Sequence, residues 1–151
     1  MSTPETQPPE RSGFLTATLL YRIAGVVFIL FAIGHTFGFL SFRAPSVEAR
    51  NVYDAMNQVR FQVGSQTFTY GGWYRGFGLG ATSAMLFWSY LCFHLAALSR
   101  SNPQAIGTLG WAFFAVQAAG AVLGFMYFGI EAMVFSAASA VLVGAAAWMA
   151  R

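Results

Sequence analysis

Four apolar blocks dominate the chain, at about Ala17 to Phe39, Tyr74 to Leu98, Gln104 to Met126 and Ile130 to Ala150. Each is close to the roughly 20 helical residues that cross a bilayer's hydrocarbon core. Lipid offers no partner to backbone polar groups, so blocks of this kind fold as helices. Burying a soluble core would not require such lengths, and the composition agrees. The 151 residues are 57% hydrophobic and 9% charged, where an ordinary soluble domain carries about a quarter charged residues. The expected fold is all-α, an integral-membrane four-helix bundle forming one domain over residues 15–151. The opening "MSTPETQPPERSG" is polar and proline-rich, so residues 1–14 are expected as a disordered tail. The block from Leu15 to Leu40 is longer than a signal-peptide core and lacks a clean cleavage site after it, which predicts a retained anchor.

Blocks three and four are nearly continuous, and "YFGIE", Tyr127 to Glu131, is the one place there with a glycine beside a charge. A very tight helical hairpin is expected at that point. The sizeable loop is Arg43 to Trp73. Within it Pro45 and Ser46 read as a helix start, and Glu48 suits the positive end of the helix dipole. Val52, Met56, Val59 and Val63 recur at helical spacing, predicting a short amphipathic helix on the membrane interface between spans one and two. Tyr70, Trp73 and Tyr74 match an aromatic belt at the membrane surface. An even number of spans returns both termini to one side. Arg11, Arg22, Arg100 and Arg151 share that side while Arg43, Arg50, Arg60 and Arg75 share the other, so the positive-inside count is tied. The commonness of cytoplasmic termini among even-span bacterial proteins then sets the expectation of an inner-membrane protein with both ends in the cytoplasm.

Charge and motifs narrow the chemistry. The net charge is +3, but the cations are single scattered arginines, which argues against nucleic acid and leaves the lipid bilayer as the expected partner. Cys92 is the one cysteine, inside an apolar block, and is expected as a small buried hydrophobe. No nucleophile–base pair, phosphate-binding glycine loop or zinc spacing occurs, which reads against dedicated hydrolase or kinase chemistry. His35 and His94 differ in depth by roughly 18 Å at 1.5 Å of rise per residue, so one haem iron cannot take both. No metal and no cofactor are expected.

Three spans carry Gly-x-x-x-Gly: Gly34 with Gly38, Gly76 with Gly80, and Gly120 with Gly124. Such pairs let helix backbones approach closely where no hydrophobic effect joins them. All three lie in the half nearest the long loop, so the bundle is expected to be tightest there, with Ser136, Ala140 and Gly144 as the small face of span four. A remaining glycine face would suit a second copy of the chain. His35, Arg75 and Glu131 collect at the same end and form the candidate polar site, since intramembrane ionisable groups stand as functional hypotheses by default. The competing reading is an imidazole hydrogen-bonded across a helix seam. Near mid-membrane, Thr82, Ser83, Gln117 and Ser139 fall at similar depth, and Gln117 is expected to bond one of the hydroxyls.

At "GHTFGF", Gly34 to Phe39, and "YRGFGL", Tyr74 to Leu79, the chain resembles a family of small four-span bacterial membrane proteins to which no activity is assigned. In that family Gly-His-Thr ends the first span and Tyr-x-Gly-Phe-Gly opens the second. The similarity covers spans one and two with their loop. It implies that His35, Thr36, Tyr74, Gly76, Phe77 and Gly78 belong to one feature, with the family's basic residue displaced here to Arg75. The expected function is that of a multi-pass membrane protein, structural or small-molecule-binding and not an enzyme. The alternative is a small transporter or membrane oxidoreductase using His35, Arg75 and Glu131 for proton, quinone or lipophilic-ligand handling.

Overall fold

The computed structural model describes residues 11–150, with side chains from Thr16 onward. Five α-helices and one β-hairpin follow one another: α1 (Arg11–Leu40), α2 (Val47–Gln58), β1 (Arg60–Val63), β2 (Gln66–Thr69), α3 (Tyr70–Ser101), α4 (Gly107–Leu123) and α5 (Ile130–Met149). The fold is an all-α four-helix bundle with a short additional helix. Helices α1, α3, α4 (with the turn that follows it) and α5 are each long and apolar enough to cross a membrane. This is a multi-pass membrane protein. The expected tail is shorter than the composition suggests, because residues from Arg11 are already helical; residues 1–10 lie outside the described part. Span two also starts earlier than expected, at Tyr70. Thr69 caps it, its hydroxyl accepting from the Gly72 amide at 3.0 Å and satisfying one of the donors that a helix start leaves unpaired.

The chain divides into two compact units, one of residues up to Phe28 with those from Trp88 onward, the other Ile29–Phe87. The first holds the main core. On α1, Ala17, Tyr21, Ala24 and Phe28 recur every three or four residues and are buried, as are Cys92, Leu95 and Ala96 on α3. Phe113 on α4, Val143 and Ala146 on α5, and Ile106 and Ala150 complete the cluster. Alanines and glycines keep the helices close: a Cβ on Gly110 would lie 3.0 Å from the Ala147 methyl, and one on Gly144 2.8 Å from the Phe114 ring. Hydroxyls stitch α1 to α3. Ser89 donates to the Gly25 carbonyl at 2.9 Å. Ser99 also reaches the Ala96 carbonyl at 2.9 Å, and its hydroxyl shares a hydrogen bond with Thr18, 2.6 Å away.

The α4–α5 connection is as tight as expected. A single π-helical turn, Gly124–Phe128, ends in Gly129 at φ +96°, a left-handed value that favours glycine. The Gly129 amide donates to the Gly124 carbonyl at 3.0 Å. In the second unit the packing contradicts one expectation. Gly34, Gly38, Gly76 and Gly80 are exposed, and a Cβ on any of them would meet nothing within 4 Å among the described residues. The most densely packed segments are in the first unit, which contains none of these four glycines. Close approach in the first unit is set by the buried stripes of small residues, Ala17 and Ala24 on α1 and Ser89, Cys92 and Ala96 on α3.

In the second unit α2 stops at Gln58, so Val63 does not continue its apolar face. Val59 turns the chain to extended geometry (φ −69°, ψ 120°), and a β-hairpin follows with Phe61 opposite Phe68. Gly64 at φ +62° makes the turn. Alternating "RFQV" and "QTFT" around Gly-Ser carries this signal in the sequence. Helix α2 packs through Ala49, Tyr53, Met56 and Asn57, which are half-buried, and leaves Val52 and Val59 exposed on its flank. The Ser46 hydroxyl caps its start, accepting from the Ala49 amide at 3.2 Å. Glu48 is held below its ordinary carboxylate pKa, first by its own backbone N–H and then by Ser46. A depressed folded value stabilises the helix above the unfolded pKa and loses that contribution as pH falls through the folded one. Amide exchange across α2, corrected for intrinsic rates, is therefore expected to quicken on acidification below the ordinary carboxylate range. Glu48→Gln should remove that pH dependence.

Candidate functional site

The best-defined polar constellation in the second unit is the seam between the last turns of α1 and the opening turns of α3. Residues 32, 35, 36 and 39 share one face of α1, as the three- and four-residue spacing requires. His35 Nε2 lies 3.1 Å from the Gly78 carbonyl oxygen, which can only accept, so Nε2 carries the proton. Thr36 donates to the Ala32 carbonyl at 2.7 Å, leaving its oxygen to accept from Thr82 at 2.8 Å. Thr82 has only one proton, and its contact with the Gly78 carbonyl is long at 3.4 Å. His35 is thus the principal side-chain donor to that carbonyl.

The seam is closed by rings. His35 stacks on Phe39, with centroids 5.9 Å apart and planes 9° from parallel, and Phe39 meets Tyr74 at 5.2 Å. Gly78 has to be glycine for this arrangement, since a Cβ there would stand 2.8 Å from Phe39 ring atoms. Farther out, Phe61 of the hairpin meets Tyr70 at 4.7 Å and Trp73 edge-on at 5.1 Å. Rings with one polar end suit the bilayer surface.

The three residues expected to converge occupy different settings. His35 is half-buried in the seam. Arg75 is exposed in the first turns of α3. Glu131 is exposed in the first turn of α5, where the helix dipole favours a carboxylate, and it belongs to the other unit. His94, also in that unit, is exposed and stacks on Tyr90 at 6.1 Å. Among the described residues no group of three or more His, Cys, Asp and Glu is placed to hold a metal. Of the Gly-x-x-x-Gly pairs, the one on α4 does meet a neighbour: Gly120 faces Ser136, and a Cβ on Gly124 would lie 2.9 Å from the Met133 amide nitrogen.

The residues of the expected mid-membrane polar layer belong to different units. Thr82 bonds Thr36, while Ser83 is exposed and donates to the Leu79 carbonyl at 3.1 Å. Gln117 and Ser139 are buried in the four-helix unit. Sequence reasoning found His35 and Thr36 but not what they would touch. The Gly78 carbonyl is a backbone atom, and no side-chain pattern announces it. Compared with models of known protein families, with curated proteins and with solved structures, the chain matches none of them.

Proposed function

We propose that this multi-pass membrane protein is a structural or small-molecule-binding membrane component, in which His35 clamps α1 to α3. The observation that supports this reading is the His35 Nε2–Gly78 carbonyl bond. It spends the imidazole's Nε2 proton on a backbone acceptor inside a ring-lined seam. That bond fixes the ring's tautomer and its orientation between the two helices, as a clamp requires. The proposal carries with it a bacterial inner-membrane location; the four spans put both termini on one side, and the commonness of cytoplasmic termini among even-span bacterial proteins makes that side the cytoplasm.

Unfolding of the purified protein in lipid nanodiscs tests the clamp. An interhelical hydrogen bond in a membrane is worth about 0.6 kcal/mol on average and up to about 1.7, and the stacked ring adds about 0.5 or more. His35→Ala is therefore expected to destabilise by about 1–2 kcal/mol. His35→Gln, which keeps an N–H donor, should recover part of that loss. A His35→Ala protein of unchanged stability that has lost a reproducible enzymatic or proton-coupled turnover would overturn the proposal.

A further inference from the structure

The hairpin between α2 and α3 has two unlike faces. Side chains alternate along a strand, and directly paired residues share a face. Arg60 pairs with Thr69 and Gln62 with Thr67, so these four polar residues stand together. Phe61 and Phe68 take the opposite face, where they meet Trp73 at 5.1 and 6.3 Å. The aromatic face therefore rests on the first turns of α3, and the polar face turns away from them.

The polar face borders an open recess of about 400 Å³, lined by Arg60, Thr67, Phe68 and Thr69. Arg60 and Thr67 are exposed and Thr69 is half-buried. Thr69 lies directly across from Arg60, and Thr67 lies on the diagonal, roughly 7–8 Å away and within reach of a long side chain. The Thr69 hydroxyl accepts from the Gly72 amide, which leaves its own proton to donate. Among the described residues no carboxylate lines the recess. One permanent cation with two hydroxyls suits the oxygens of a phosphate, which a guanidinium binds through two N–H groups at once.

Helix α3 sets the depth of this recess in the membrane. It runs 32 residues, Tyr70–Ser101, which is about 48 Å at 1.5 Å per residue. The hydrocarbon core is about 30 Å thick, and the bilayer with its headgroups about 40–45 Å. Both ends of α3 thus reach the headgroup layers. Thr69 immediately precedes Tyr70, and strand pairing fixes Arg60 beside Thr69. Trp73 and Tyr74, one turn inward, match the aromatic belt at the lipid surface. Arg60 therefore stands at the level of the lipid phosphates.

We propose that the recess on the hairpin's polar face binds the headgroup of an anionic phospholipid, with Arg60 on the phosphodiester and Thr67 and Thr69 bonding headgroup oxygens. A zwitterionic headgroup also brings an ammonium, for which the recess has no carboxylate. The site rests on the reading of the chain as a small-molecule-binding membrane component and makes no use of the His35 clamp.

Native mass spectrometry of the full chain in mild detergent, titrated with phosphatidylglycerol or phosphatidylcholine, tests the site. The first phosphatidylglycerol is expected to bind more tightly than the first phosphatidylcholine. Arg60→Gln should weaken phosphatidylglycerol about fivefold, the worth of one arginine at an anionic membrane surface. Thr67→Val, which removes a hydroxyl and no charge, should weaken it about twofold. Neither change should alter phosphatidylcholine binding. Arg50→Gln removes an exposed arginine of α2 that does not line the recess, and its effect should be clearly smaller. Millimolar glycerol 3-phosphate, which carries the phosphate without acyl chains, should not displace the lipid. Equal affinity of the wild-type chain for the two lipids overturns the proposal even if a variant does not fold. Equal losses from Arg50→Gln and Arg60→Gln overturn it in favour of diffuse charge, and displacement by glycerol 3-phosphate overturns it in favour of a soluble phosphate. Failure of the His35 clamp would leave the lipid preference intact, and loss of the preference would leave the clamp intact, so the two outcomes are distinct.

Discussion

Gly124→Val should destabilise the protein by about 3 kcal/mol, the upper end of what overpacking a well-filled interior costs. The reason is the identity of the obstructing atoms. A Cβ on Gly124 would lie 2.9 Å from the Met133 amide nitrogen and 3.1 Å from the Ala132 carbonyl carbon. Those are backbone atoms of α5, so no rotamer change relieves the contact and the helices must part. Parting them also pulls on the π-helical turn, whose Gly129 amide bonds the Gly124 carbonyl. Denaturant titration in mixed micelles measures the loss. Gly34→Val and Gly38→Val provide the control, because a Cβ at either meets nothing within 4 Å. Within the single chain they are expected to change stability by less than about 0.5 kcal/mol, as exposed substitutions usually do. Equal damage from Gly34→Val and Gly124→Val would show that the exposed pair is packed against something in the membrane.

Phe28→Ala is expected to destabilise by about 2 kcal/mol or more. Phe28 is 1% exposed and meets Trp88 at 5.6 Å and Phe113 at 5.9 Å, joining α1, α3 and α4 in one cluster. In water a Phe→Ala change in a core costs about 3–5 kcal/mol, part of it transfer free energy and part of it the cavity. Lipid tails are as apolar as the core, so the transfer part largely cancels here. The lost contacts remain, because no neighbour closes a gap of that size without leaving its own rotamer. Phe37→Ala is the matched comparison: Phe37 is 74% exposed, and its loss should leave the same titration nearly unchanged. Similar losses from both would mean that ring contact with lipid, not packing in the core, carries the stability.

The class of fold was legible because it follows from local chemistry. Four apolar blocks of spanning length can only be helices in lipid, and Gly129 beside Glu131 marks the one tight break between the last two. Ser46 and Glu48 likewise announce the start of α2, as capping depends on residues a few positions apart. The β-hairpin after α2 shows how a local signal can be outweighed. Val52, Met56, Val59 and Val63 fit a helical period, but Val59 is extended and Phe61 pairs across to Phe68, where both rings rest near Trp73.

What the residues in order do not state is which neighbour each face meets. Gly34, Gly38, Gly76 and Gly80 have the same spacing as Gly120 and Gly124, yet among the described residues only the last pair lies against another helix. His35 is visible as an ionisable group in an apolar run, but its partner is the Gly78 carbonyl, which every residue type would present equally. Gln117 and Ser139 are visible as polar residues at one depth, yet neither Gln117 Nε2 nor Ser139 Oγ finds a hydrogen-bonding partner among the described residues. Backbone hydrogen bonding in lipid is satisfied within each segment, so the sequence alone commits these segments to helices. Contacts between helices depend on the rotation and register of two surfaces at once, and no single segment carries that information.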